Sequence, residues 1–348
     1  MKNRNHKNHA AALLAALAMT GAVTVRGAVG TDYLTDSSLM VKVGDTDNAA
    51  DSTTGNLYGA VAYEYQIGKY EVTNAQYAAF LNTVDSTGAN TLALYNTNMS
   101  SSAYGGITWS GSAYVVKAGY ELKPVNYVSF YDAMRFTNWL TTGNTETGVY
   151  NLLGGDATPI NGTSVTRTLD VIPGTLWAVA SEDEWYKAAY YNGDGTWRTD
   201  PVTGTLKAGT NANGGTANYN DGGYVFPNNG ALGNGDRFAD VDHYDLVDGA
   251  GSYYGTYQQG GNVYEWNDTI TNADFRGMRG GAFLNPDDYL ASSARANYAP
   301  ADEFLSNGFR GVALSSLAAV PEPATWAGLA GLALLAWAAL RRYRDARD

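Results

Sequence analysis

Three stretches of the chain repeat apolar residues at helical spacing, and each follows helix-start chemistry. Tyr77, Phe80, Leu81 and Val84 fall at i, i+3, i+4 and i+7, one apolar face. Thr73 and Gln76 ahead of them form the Thr-x-x-Gln of a capping box, with Val72 and Tyr77 at the staple positions. Ser129 and Asp132 bracket a second start, followed on one side by Ala133, Phe136 and Leu140. Ser181 and Glu184 mark a third, and Trp185, Ala188 and Ala189 are its buried stripe. Glu182 and Asp183 lie in its first turn, where negative charge suits the helix dipole. Capping accounts for these carboxylates without general acid–base work. Strand-like alternation runs over residues 58–67, and residues 43–56 read as a loop. The connections 85–118, 141–175 and 192–235 are rich in Gly, Asn and Thr and too long for ordinary loops. They are elaborated loops or small hairpins. No internal repeat and no Pro/Gly-rich linker divides the middle. The pattern predicts one irregular α+β domain with few helices, short strands and long Gly/Asn-rich loops, over residues 58–316, preceded by a polar segment, 29–57.

The two ends have a different texture. Lys2, Arg4 and Lys7 precede an apolar run over residues 10–19 and then small residues, the three-part pattern of a signal peptide over residues 1–28. Cleavage is expected between residues 22 and 29, with Arg26 blurring the site. Near the other end, Pro321, Glu322 and Pro323 precede an apolar run over residues 324–340 and then Arg341, Arg342 and Arg344. At about 1.5 Å per residue the run spans roughly 26 Å, close to a ~30 Å hydrocarbon core. The positive-inside rule keeps the arginines cytoplasmic and the domain outside. Residues 317–348 resemble a PEP-CTERM sorting signal, which implies recognition by an exosortase, a transient membrane anchor, and delivery to the envelope, surface or extracellular matrix. A plain single-span anchor is the alternative.

Composition narrows the chemistry. Forty-one glycines and 26 tyrosines with only 16% charged residues describe a turn-rich, aromatic-rich globular protein rather than a helical bundle. Residues 29–320 hold 14 basic and 31 acidic residues, a net charge of −17, which argues against nucleic acid as a partner. An acidic surface suits cation binding or plain solubility. The absence of cysteine excludes disulfides, thiolate catalysis and cysteine-ligated metals. His243 is alone outside the leader, so neither a multi-histidine zinc site nor an iron site built on histidines can form.

Five blocks carry a family resemblance: residues 70–82 (YEVTNAQYAAFLN), 180–190 (ASEDEWYKAAY), 260–266 (GGNVYEW), 278–283 (MRGGAF) and 307–311 (NGFRG). They resemble the sulfatase-modifying factors, the formylglycine-generating enzymes and their non-catalytic relatives. The resemblance implies a C-type-lectin-like variant fold. It places the two catalytic cysteines of that family at Asn285 and Leu290, neither of which can form a thiolate or bind Cu(I), so no copper is expected. It also implies two calcium sites. One uses Asn218, the Tyr219 carbonyl, Asp236 and the Phe238 carbonyl; the other centres on Asn262 with Glu265 nearby. Alternatively, Asn262 and Glu265 satisfy buried backbone groups in a turn. Arg279, Arg295 and Arg310 sit in recurring blocks and are expected to brace the core. Trp109, Trp197 and the tyrosines of residues 253–257 are core aromatics or a sugar-stacking surface. The functional expectation is a surface-sorted, non-catalytic binding or structural module, with an extracellular polysaccharide or a surface protein as its candidate partner. The alternative is an enzyme of the same family, a protein-modifying oxidoreductase with non-cysteine chemistry drawing on Asn285, Asp287, Asp288 and Arg295.

Overall fold

In the computed structural model all three helix starts close as capping boxes. The structure describes residues 36–169, 174–226, 237–272 and 274–315; the leader, Asp236 and the sorting tail, including residues 324–340, lie outside the described residues. Thr73 Oγ1 accepts from the Gln76 amide at 3.2 Å while Gln76 Oε1 accepts from the Thr73 amide at 2.8 Å, starting helix α1, Asn74–Val84. A short helix α2, Asn98–Ser101, follows. The Ser129/Asp132 box starts α3, Phe130–Thr142, which ends on Gly143 in the left-handed conformation (φ 76°). The Ser181/Glu184 box starts α4, Glu182–Tyr190. The predicted apolar faces are the buried ones: Tyr77, Phe80 and Phe136 pack with ring centroids 5.4–6.2 Å apart.

The first sheet has the order β1-β2-β10-β5 and is antiparallel throughout, with β1 Met40–Val43, β2 Tyr65–Gly68, β5 Thr175–Val179 and β10 Gly311–Ser315. It ties the start of the described chain to its end. The described part of the polar segment, residues 36–57, therefore joins the domain, since Val41 pairs with Ile67. The alternation read over 58–67 is real in burial, but only the part from Tyr65 pairs as a strand. The long connection 85–118 contains a hairpin, β3 Ile107–Trp109 with β4 Tyr114–Val116. The second sheet has the order β8-β7-β6-β9, from β6 Tyr264–Asn272, β7 Phe275–Arg279, β8 Ala296–Tyr298 and β9 Asn307–Gly308. Its β6–β9 pair is parallel and its β6–β7 register shifts beyond Trp266. The largest apolar cluster runs from Val43 through Trp185 and Trp266 to Leu314, so the described segment closes a core of its own. Among the described residues no helix is long and apolar enough to cross a membrane.

Candidate functional site

The turn into β6 forces backbones close together, which explains its glycines. A Cβ on Gly261 (φ 87°) would lie 2.3 Å from the Asn218 carbonyl, and one on Gly280 (φ 94°) 2.5 Å from that of Gln259. Asn262, itself at φ 59°, is fully buried between them. Its Oδ1 accepts from the Ala239 amide and from Asn218 Nδ2, both at 3.0 Å, and its Nδ2 donates to Glu71 Oε1 at 3.0 Å. Glu265 is equally buried. Both its oxygens take Arg310, at 2.5 and 2.6 Å, and Oε2 also accepts from Trp185 Nε1 at 2.8 Å. Arg310 donates onward to the carbonyls of Gly68 and Tyr257. Burial pushes the Glu71 carboxyl up to about 8; Arg310 pulls against that and the Glu265 charge adds to it.

Two further ion clusters brace α4. Glu182 accepts from Arg279 Nε (2.8 Å) and binds Arg295 through both oxygens (2.8 and 2.6 Å), while the Arg279 guanidinium lies 4.4 Å from the Tyr58 ring and 4.9 Å from that of Tyr186. Glu184 binds Arg167 through both oxygens, and Asp268 joins Arg167 to Arg276. Burial alone would raise the Glu184 carboxyl, but Arg167 holds it below its ordinary value. Arg279, Arg295 and Arg310 brace the core as expected. Sequence reading missed Arg167 and Arg276, which stand outside the family blocks. It also assigned Glu182 to the helix dipole, whereas the side chain is buried under two arginines.

The two positions that the resemblance assigns to cysteines both make structural contacts. Leu290 is fully buried with Ala217 and Tyr219, and its carbonyl accepts from the Tyr190 hydroxyl at 2.8 Å. Asn285 Oδ1 accepts from the Ala282 amide at 3.0 Å, and its carbonyl accepts from the Asn220 amide. Beside them opens a cleft of about 380 Å³ lined by Tyr264, Tyr289, Tyr298, Asp288, Ser293 and Arg295. Tyr289 is 45% exposed, and Asp288 stands open at the rim. The volume lies at the lower end of small-molecule sites. Trp109, Trp197 and the 253–257 tyrosines do not converge on it. Trp109 packs on Tyr114, Trp197 packs on Tyr186 and Tyr191, and Tyr254 bonds Asp45. His243 Nε2 accepts from the Asn211 amide and its ring packs edge-on to Phe226 and Tyr244, a structural role.

Asn218, Phe238, Asn262 and Glu265 do come together, and the oxygens of the last three are hydrogen-bonded within the protein. The Phe238 carbonyl accepts from Lys123 Nζ at 2.8 Å, Glu265 from Arg310 and Trp185, and Asn262 Oδ1 from two amides. Among the described residues no group of three or more His, Cys, Asp or Glu could hold a metal ion. The Phe238 carbonyl and the Asn262 and Glu265 side-chain oxygens are thus turned to protein donors rather than open to a calcium ion, while Asp236 lies outside the described residues.

Two small sheets, flanking helices and long irregular connections around one core define an irregular α+β domain. The chain belongs to the sulfatase-modifying factor enzyme 1-like domain family, whose model matches residues 29–314. A PEP-CTERM protein-sorting motif matches residues 319–342, which marks the protein for export and envelope sorting and implies recognition by an exosortase. Among solved structures the chain is similar to Treponema denticola variable protein 1 (19% identity, 78% of this chain and 94% of that one, TM-score 0.48). It is also similar to CarF (17%, 78% and 97%, TM-score 0.49) and to PvdO from Pseudomonas aeruginosa (17%, 79% and 93%, TM-score 0.45). No curated protein matches the chain.

Proposed function

We propose that this protein is a non-catalytic member of its family, displayed at the cell surface, whose cleft binds a sugar unit of an extracellular polysaccharide. The observation that carries this reading is the fate of the two cysteine positions: Leu290 is packed into a core cluster and Asn285 holds a turn. The cleft above them keeps the ingredients of sugar recognition. Tyrosine faces at Tyr289 and Tyr298 suit the apolar face of a pyranose, and Asp288 and Arg295 can bond its hydroxyls.

The test is binding of the exported domain, residues 29–320, to a panel of extracellular polysaccharides. Saturable binding is expected, weakened about tenfold by Tyr289→Ala or Tyr298→Ala, the scale of one lost aromatic contact. Folded domain that binds nothing on the panel, or binding indifferent to both substitutions, would overturn the assignment. A sulfatase-derived peptide incubated with the domain, copper and oxygen is expected to yield no formylglycine by mass spectrometry; conversion above blank would restore the enzyme reading.

A further inference from the structure

The segment Arg237–Asp240 runs beside the turn of β6, and its backbone polar groups are held one after another by side chains. The Arg237 carbonyl accepts from Asn218 Nδ2 at 2.9 Å and the Phe238 carbonyl from Lys123 Nζ at 2.8 Å. The Ala239 amide donates to Asn262 Oδ1 at 3.0 Å, and the Asp240 carbonyl accepts from Gln258 Nε2 at 2.8 Å. Lys123 is 7% exposed, and its ammonium also reaches Asp240 Oδ1 at 3.4 Å. A carbonyl and a carboxylate are the hard oxygen ligands calcium takes, and a buried ammonium with three donors can satisfy them with a single positive charge.

We propose that the Lys123 ammonium is a built-in cation that replaces a calcium ion in ordering residues 237–240. The strap carrying Lys123 fits that role. Its carbonyl accepts from the Asn74 amide at the start of α1 at 2.9 Å, and the neighbouring Leu122 carbonyl accepts from the Val241 amide at 2.8 Å. The charge thus sits between two backbones already stitched together. Buried without these oxygens, an ammonium would be costly; with them it locks the segment at any calcium concentration.

Thermal unfolding of residues 29–320 in millimolar calcium and in excess chelator tests this. The wild-type Tm is expected to agree between the two within ~1 °C, whereas a site saturated a hundredfold above its Kd would separate them by roughly 5 °C. Lys123→Met keeps the stem and removes the charge, and is expected to lower Tm by about 3–6 °C. A wild-type Tm that falls in chelator, or a Lys123→Met protein as stable as wild type, would overturn the proposal. If Lys123→Met does not fold, calcium titration of the wild type by calorimetry decides: a saturable isotherm refutes the replacement and a flat one supports it. None of these outcomes depends on whether the cleft binds sugar.

Discussion

Leu290 is one of the two positions that the family resemblance assigns to a cysteine, and the surrounding structure has closed on it. Its side chain is fully buried, and a Cβ added at Gly281 would come within 2.8 Å of one of its methyls. A site this tightly lined collapses poorly when emptied, so Leu290→Ala is expected to lose about 2–4 kcal/mol in denaturant unfolding. A loss below about 1 kcal/mol would mean that the position is loosely packed and still open to chemistry. Asn285 and Leu290 were picked out in the sequence by fixed steps after Gly281 in a short block. The partners of the bracing arginines were not. Glu182 meets Arg279 across 97 residues and Glu265 meets Arg310 across 45, and nothing local announces either pairing.

Helix starts are the elements a sequence states most directly, because a capping box is closed within three residues. All three boxes formed where the spacing put them. What the spacing hid is that one box residue has a second task. Glu184 caps α4 and also binds Arg167 through both oxygens and accepts from the Tyr63 hydroxyl. Ser181→Ala should therefore cost about 1 kcal/mol, a lost cap. Glu184→Gln should cost about 3 kcal/mol, because it also leaves the Arg167 guanidinium, 11% exposed, short of a counter-charge. Equal losses in urea unfolding would mean the ion pair adds nothing beyond the cap. Strands were less legible than helices. Residues 59–67 alternate in burial, yet pairing starts only at Tyr65, because β1 and β10 reach no further along it. The hairpin at residues 107–116 was left open among the long connections, since its three-residue strands are too short to show a period.

At the scale of the whole molecule, buried carboxyls and an acidic surface act on stability in the same direction. Burial pushes Glu71 up to about 8, pushes Glu303 up to about 8 with the Asp132 charge adding to it, and pushes Asp132 up to about 6. A carboxyl raised in the folded state holds a proton there that the unfolded chain has already released. Its contribution is complete below the unfolded value, near 4.5 for Glu71 and Glu303, and is lost as pH climbs through the folded one. Glu184 runs the other way: its lowered carboxyl contributes at neutral pH and loses that contribution only when pH falls below its ordinary 4.5. The net of −17 over residues 29–320 adds self-repulsion as the remaining acids ionise. The Tm of the exported domain is therefore expected to peak near pH 5 and to decline through pH 8, the window bounded by these carboxyls. Glu71→Gln isolates the contribution of the buried turn at Glu71. Its amide oxygen can still accept from Asn262 while nothing titrates, so the decline should flatten even though the surface charge hardly changes. A wild-type Tm that rises between pH 5 and pH 8 would refute both contributions, and a Glu71→Gln profile parallel to wild type would place the decline in Glu303, Asp132 and the surface charge instead of at the buried turn that organises the domain.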